Sequence, residues 1–227
     1  SGAATAPTTA TSRPLRLDEA SLLAETRPAN AATGGASFTV NAALTATGER
    51  MVLQGDVDWK NHVGHATVSA IGSDSRITEV YWADGVVLER IPTLDGPLAA
   101  AGHPVRWVAR PFDPKTHQLD RLLALVGGLA GTQADNALLL QQAEGSAFLR
   151  RDELRGTSVD VLRYGTRNRY WVDPATKLTL RFEGDAETGG APVVIDLNAQ
   201  GNRTLALPAN SDVVAADAVP NLYGPIR

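Results

Sequence analysis

The strongest constraint on this chain is a change of hydrophobic period, from two to about three and a half and back to two. From Phe38 apolar side chains alternate with polar ones: Phe38, Val40, Ala42, Leu44 and Ala46 fall on one side of a strand, Thr39, Asn41 and Thr45 on the other. A period of two marks a strand with one buried face. The pattern recurs at Met51, Leu53, Val57 and Trp59, then at Ala66, Val68 and Ala70. Turns at Thr47-Gly48-Glu49, Asn61 to Gly64 and Asp84-Gly85 separate these runs from one another and from Arg76–Ala83 and Val86–Leu88. Short turns between consecutive strands predict an antiparallel meander, because parallel strands need long crossovers. A second group resumes near Ala147, with Thr157, Val159 and Val161, then Leu178, Leu180 and Phe182, then Val193, Ile195 and Leu197.

Between the two groups lies a Leu-rich stretch. Leu119, Leu122, Leu123, Val126 and Leu129 recur at helical spacing, and Leu125 broadens that face. Gly127-Gly128 weakens the last turn. Asp135 is placed to cap a second helix carrying Leu138, Leu139 and Leu140. A further helix is expected from Leu15 to about Arg27, with Asp18 and Glu19 in its first turn and Pro28 ending it. The stretch from Ile91 to Pro104 is interrupted by Pro and Gly and reads as mobile.

A long antiparallel sheet with one apolar face must cover that face, and about ten strands tend to curl. The expectation is an α+β fold: a strongly curved antiparallel sheet, an unclosed half-barrel, with helices over its concave face. Residues 1–14, Ala/Thr/Ser/Pro-rich, read as a flexible tether, either the remnant of a chain that lost a signal peptide, lipidated Cys or membrane anchor, or an ordinary disordered terminus. Residues 15–207 form the single domain, and 208–227 an irregular tail.

Composition narrows the chemistry. A net charge of −4, from 21 basic and 25 acidic residues, argues against a nucleic-acid partner. Cys is absent, which removes disulfides and thiolate chemistry. No apolar run approaches the ~18 residues of a membrane span. Nucleophile elbow, zinc-protease, P-loop and dinucleotide motifs are missing. No catalytic residue, cofactor or metal is assigned. His62-x-x-His65, near Asp56 and Asp58, is the best metal candidate, but it straddles a turn and reads better as a wet hairpin. Arg150, Arg151, Arg155, Arg163, Arg167 and Arg169 could form a cationic rim for phosphate or lipid headgroups. The chain is Arg-rich throughout, however, and interspersed Asp and Glu favour a solvated face. Trp59, Trp82, Trp107 and Trp171 could line a pocket or fill an ordinary core.

The order of elements, with Gly55-Asp56-Val57-Asp58-Trp59 leading to His65-Ala66-Thr67-Val68, and Tyr170-Trp171-Val172-Asp173-Pro174 leading to Leu178, resembles the LolA-like and LppX/LprG-like lipoprotein carriers of bacterial cell envelopes. The resemblance spans about residues 15–207. It implies a non-enzymatic, monomeric, extracytoplasmic domain held at the membrane by an N-terminal anchor that this sequence lacks. Such a domain binds or transports an acylated lipid or glycolipid in a cavity between helices and sheet. The lining residues expected on that reading are Leu44, Val57, Val68, Trp82, Leu119, Leu122, Leu123, Val126, Leu129, Leu138, Leu139, Leu180 and Ile195. The same aliphatic pattern would equally serve a dry core. The alternative is therefore a structural or regulatory envelope domain with a solid interior that docks a membrane partner.

Overall fold

The computed structural model describes residues 12–43, 48–71, 76–185 and 192–223. In chain order the strands are β1 (Arg13–Pro14), β2 (Gly35–Ala43), β3 (Arg50–Asp58), β4 (Val63–Ile71), β5 (Glu79–Ala83), β6 (Val86–Arg90), β7 (Trp107–Pro111), β8 (Ala147–Leu154), β9 (Thr157–Tyr164), β10 (Asn168–Val172), β11 (Thr179–Asp185), β12 (Pro192–Gln200) and β13 (Val213–Ala215). The helices are α1 (Leu17–Ala32), α2 (Asp95–Ala100), α3 (Gln118–Gly128), α4 (Ala137–Gln142) and α5 (Pro220–Tyr223).

All described strands join one sheet in the order β1-β8-β9-β10-β11-β12-β2-β3-β4-β5-β6-β7-β13. Each meander is antiparallel throughout, and the two are fused where β12 pairs antiparallel with β2, Ile195 opposite Val40. The parallel pair is β7 with β13. The end strands β1 and β13 do not meet, so the sheet is open. Bulges between Phe148 and Arg150, Trp171 and Val172, and Leu197 and Ala199 bend it. At Gly64 a Cβ would lie 1.8 Å from the Trp82 ring across the strand pair, so glycine there lets the indole fold back over β4. The fold is α+β, an open curved sheet with helices across one face.

Alternation puts Phe38, Val40, Leu53, Val80 and Ile195 on the helix-bearing face, where they meet Leu122, Leu123 and Val126 of α3 in one core. A second cluster joins α1 and α4 over β9 and β10 through Leu23, Leu140, Leu162 and Val172. A third covers the β7 end with Leu94, Leu98, Val108, Val219 and Tyr223.

Several local features differ from the sequence reading. Helix α1 continues through Pro28 to Ala32. The proline lacks the N–H that would bond the Ala24 carbonyl, and Asp135 N–H takes that place at 3.1 Å. The cap of α4 is Asn136, one residue beyond the expected Asp135, and its Oδ1 accepts from Leu138 and Leu139 N–H at 3.0 and 3.2 Å. The stretch from Ile91 to Pro104 holds α2 and anchors the third cluster through Leu94 and Leu98. Arg13 and Pro14, read as tether, pair with β8, and the segment after Pro208 supplies β13 and α5. Leu44 and Ala46 lie outside the described residues.

Candidate functional site

Helix α3 is held at both ends and open along its sides. It starts at a turn in which Asp113 accepts from Lys115 N–H at 2.9 Å and from the Thr116 hydroxyl at 2.7 Å. In its first turn the buried Asp120 receives two hydrogen bonds from Arg110, each 2.7 Å, and one from Asp113 N–H at 2.7 Å. Arg110 also donates to Glu89 at 2.7 Å, and the Tyr223 hydroxyl donates to the other Glu89 oxygen. Burial alone would lower Arg110, but Asp120 and Glu89 outweigh it and hold the guanidinium above its ordinary value. Burial, with Glu89 beside it, raises the Tyr223 phenol. At the far end Trp59 Nε1 donates to the Val126 carbonyl at 3.4 Å and Asn30 Nδ2 to the Leu129 carbonyl at 2.7 Å.

The expected lining residues divide into three groups. Val57, Val68, Trp82, Leu119, Leu122, Leu123, Val126, Leu129 and Ile195 come together in the central core. Leu122, Val126 and Ile195 have no surface that water can reach, so no water-sized void opens against them. Leu180 is turned to the opposite face of the sheet. The bulge at Trp171/Val172 places Thr179 inward, and Leu180 packs beside Val159, Val161 and Trp171. Leu138 and Leu139 are exposed, at 54% and 65%.

The open space lies beside α3. A cleft of about 690 Å³ runs between α3 and the β9–β11 strands, walled by Leu125, Leu129, Tyr170 and Phe182, with Ala124 and Gly128 on the helix side. Arg121, Arg167, Asn168 and Asp185 form its polar rim. Tyr170, edge-on to Phe182 at 5.1 Å, also bounds a smaller cleft of about 360 Å³ toward α1 and α4, which Leu139 and Tyr164 border. Burial, with Asp135 adding to it, pushes the Tyr170 phenol up to about 12. A third opening of about 200 Å³ lies across α3, by Trp59, Trp82 and Phe112. Sequence reasoning missed Tyr170, Phe182 and Gly128 as lining. The available signals were Leu125 broadening its helix beyond the buried stripe and two glycines in a helix with no turn to make. A Cβ at Gly127 or Gly128 would meet nothing within 4 Å.

The other candidate groups are engaged elsewhere. His65 pairs with Glu79 at 2.6 Å and stacks on Tyr81, Asp56 is held by Arg203 at 2.8 Å, and Asp58 accepts from Asn61. His62 sits in the turn with a φ of +54°. Among the described residues no three His, Asp or Glu converge as a metal site. In the arginine group, Arg150 pairs with Asp152, Arg151 with Asp160, Arg155 with Asp196, Arg167 with Asp185 and Arg169 with Glu183. Arg163 donates to the Gly145 carbonyl.

Fold and site together define an open curved α+β sheet whose covering helix leaves an apolar, polar-rimmed cleft along one side. No family model matches the chain, and no curated protein does. Solved structures do. The chain is similar to an uncharacterized conserved protein from Thermus thermophilus, with 11% identity over 85% of this chain and 96% of that one, TM-score 0.45. It is similar to LprF from Mycobacterium bovis, with 13% identity over 87% and 99%, TM-score 0.47. It is also similar to MucB of Pseudomonas aeruginosa in its complex with MucA, with 14% identity over 84% of this chain and 59% of that one, TM-score 0.37. No helix among the described residues is long and apolar enough to cross a membrane.

Proposed function

We propose that this protein is a non-enzymatic binding domain of the cell envelope that holds an acylated ligand, with its chain in the cleft beside α3 and not beneath that helix. The observation that carries the reading is the wall itself: Leu125, Leu129, Tyr170 and Phe182 face about 690 Å³ of open space under a polar rim. That volume falls in the usual range of small-ligand sites, roughly 300–1,000 Å³, and apolar walls with a few polar groups are what such sites present. Each methylene moved from water into the cleft contributes about 0.8 kcal/mol. Leu139, which borders the second cleft, would then lie near its mouth instead of lining the seat.

The complete burial of Leu122, Val126 and Ile195 under α3 favours a second reading, in which the same domain binds no small molecule and the exposed Leu138, Leu139 and Tyr164 face a membrane-associated partner. One experiment separates the two. A fluorescent fatty-acyl probe is titrated into the protein and into Gly128→Trp, which places an indole in the cleft where no atom now stands. The first reading expects saturable binding to the parent chain and at least a tenfold loss in the variant, at a melting temperature no lower than the parent's. Absence of saturable binding to the parent leaves the second.

A further inference from the structure

Among the described residues the walls of the α3 cleft carry three formal charges, and they do not cancel. Arg167 and Asp185 pair with each other at 2.9 Å. Arg121 has no such partner. Its Nε donates to the Pro114 carbonyl at 2.9 Å and one terminal nitrogen donates to the Lys115 carbonyl at 3.0 Å. Both acceptors are neutral, and among the described residues no carboxylate lies within ion-pair distance of Arg121. The two carbonyl bonds hold the guanidinium in place, while its other terminal nitrogen has no acceptor among the described residues. A fixed planar fork with donors to spare suits a carboxylate, phosphate or sulfate oxygen pair.

Position on α3 adds direction. Arg121, Leu125, Gly128 and Leu129 follow one another at helical spacing on the side that borders the cleft. From Arg121 to Leu129 the stripe runs about 12 Å at the helical rise. It begins at a cation and continues over aliphatic surface, with bare backbone at Gly128. We propose that the occupant of this cleft is an amphiphile with an anionic head: the head on Arg121, an alkyl chain along Leu125, Gly128 and Leu129 against Phe182. This rests on the cleft being a ligand site, and it adds the sign of the charge and the orientation.

The test uses the whole chain and three probes, the amphiphiles below their micelle concentrations, measured by calorimetry: dodecyl phosphate, the uncharged dodecyl maltoside, and inorganic phosphate. Dodecyl phosphate is expected to bind about tenfold or more tighter than the maltoside, the ratio for one charge-assisted hydrogen-bonded contact. Inorganic phosphate alone is expected to bind far more weakly than either. Arg121→Gln should abolish the preference for the anion, cutting phosphate-ester affinity far more than maltoside affinity. Should that variant fold poorly, raising salt on the parent chain serves the same end, lowering phosphate-ester affinity and sparing the maltoside. Equal affinity for charged and uncharged amphiphiles, or an equal loss of both in Arg121→Gln, overturns the assignment while the cleft stands. Inorganic phosphate binding as tightly as dodecyl phosphate reduces the site to an anion site and overturns the amphiphile. Failure of both amphiphiles to bind overturns the cleft reading itself.

Discussion

The side-chain amide of Asn30 donates to the backbone carbonyl of Leu129 at 2.7 Å, and its Oδ1 accepts from Thr179 N–H at 3.1 Å. One fully buried side chain at the end of α1 thus fixes the exit of α3 and the start of β11, the two elements between which the cleft opens. Asn30→Ala would strand a buried carbonyl and a buried N–H, at about 1–3 kcal/mol for each group left unpaired. The expected loss of about 2–6 kcal/mol is read from urea unfolding. Asn30→Asp should do no better, since it keeps the acceptor but loses the donor.

Arg110 is the only cation that the described ion pairs give to Glu89 and Asp120, both buried. Arg110→Met leaves two buried carboxylates without a counter-charge, and about 3–5 kcal/mol of stability should be lost. Arg110→Lys should recover only part, because an ammonium cannot bond both carboxylates in the fork geometry. Thermal denaturation of the two variants side by side gives the order.

Gly127 and Gly128 stand in helical backbone with room for a Cβ. Gly127→Ala and Gly128→Ala should each raise stability by roughly 0.5–1 kcal/mol through helix propensity alone. A melting temperature that falls in both would show that the helix needs the glycines for its shape.

Glu19 contributes to the acid limb. Burial pushes its carboxyl up, but two bonds from Arg13, at 2.8 and 2.5 Å, and one from Arg16 N–H, at 2.9 Å, outweigh it and hold it below the ordinary range. A depressed acid contributes stability that is complete above its unfolded value, near ~4.3, and is lost as pH falls through the folded one. Glu19→Gln should therefore flatten the decline of melting temperature below about pH 4.5 and lower the plateau above it.

The alkaline limb runs the other way. Burial raises Tyr81, Tyr170 and Tyr223, Tyr170 to about 12. Their unfolded phenols release protons near pH ~10, before the folded ones, so stability should fall as pH rises from about 10 toward 12. Tyrosinate absorbance in the folded protein should show at least one phenol titrating at about 12, and Tyr170→Phe should remove that step.

Much of the sheet was legible in the sequence, because alternation is a property of neighbours. Phe38, Val40 and Ala42 must share a face of any strand, and glycine-bearing turns must reverse it. Where a strand's register depended on a bulge, local pattern misled: Leu178, Leu180 and Phe182 alternate in sequence, yet the irregularity opposite Trp171 sends Leu180 to the other face. Pro28 stops an isolated helix, but here Asp135, distant in sequence, supplies the missing bond to Ala24.

What the sequence by itself determined was an open two-meander α+β sheet with a Leu-rich helical cover, since period and turn chemistry act over a few residues. Where the open space lies was decided only by tertiary structure. Leu119, Leu122, Leu123 and Val126, chosen for their spacing, are the apolar residues α3 buries, because a helix turns its most apolar stripe to the sheet. The cleft is left to the flank that spacing marks as secondary, where Leu125 and Gly128 meet Tyr170 and Phe182 from strands some forty to sixty positions away. That meeting depends on packing between distant segments, to which no local periodicity is sensitive.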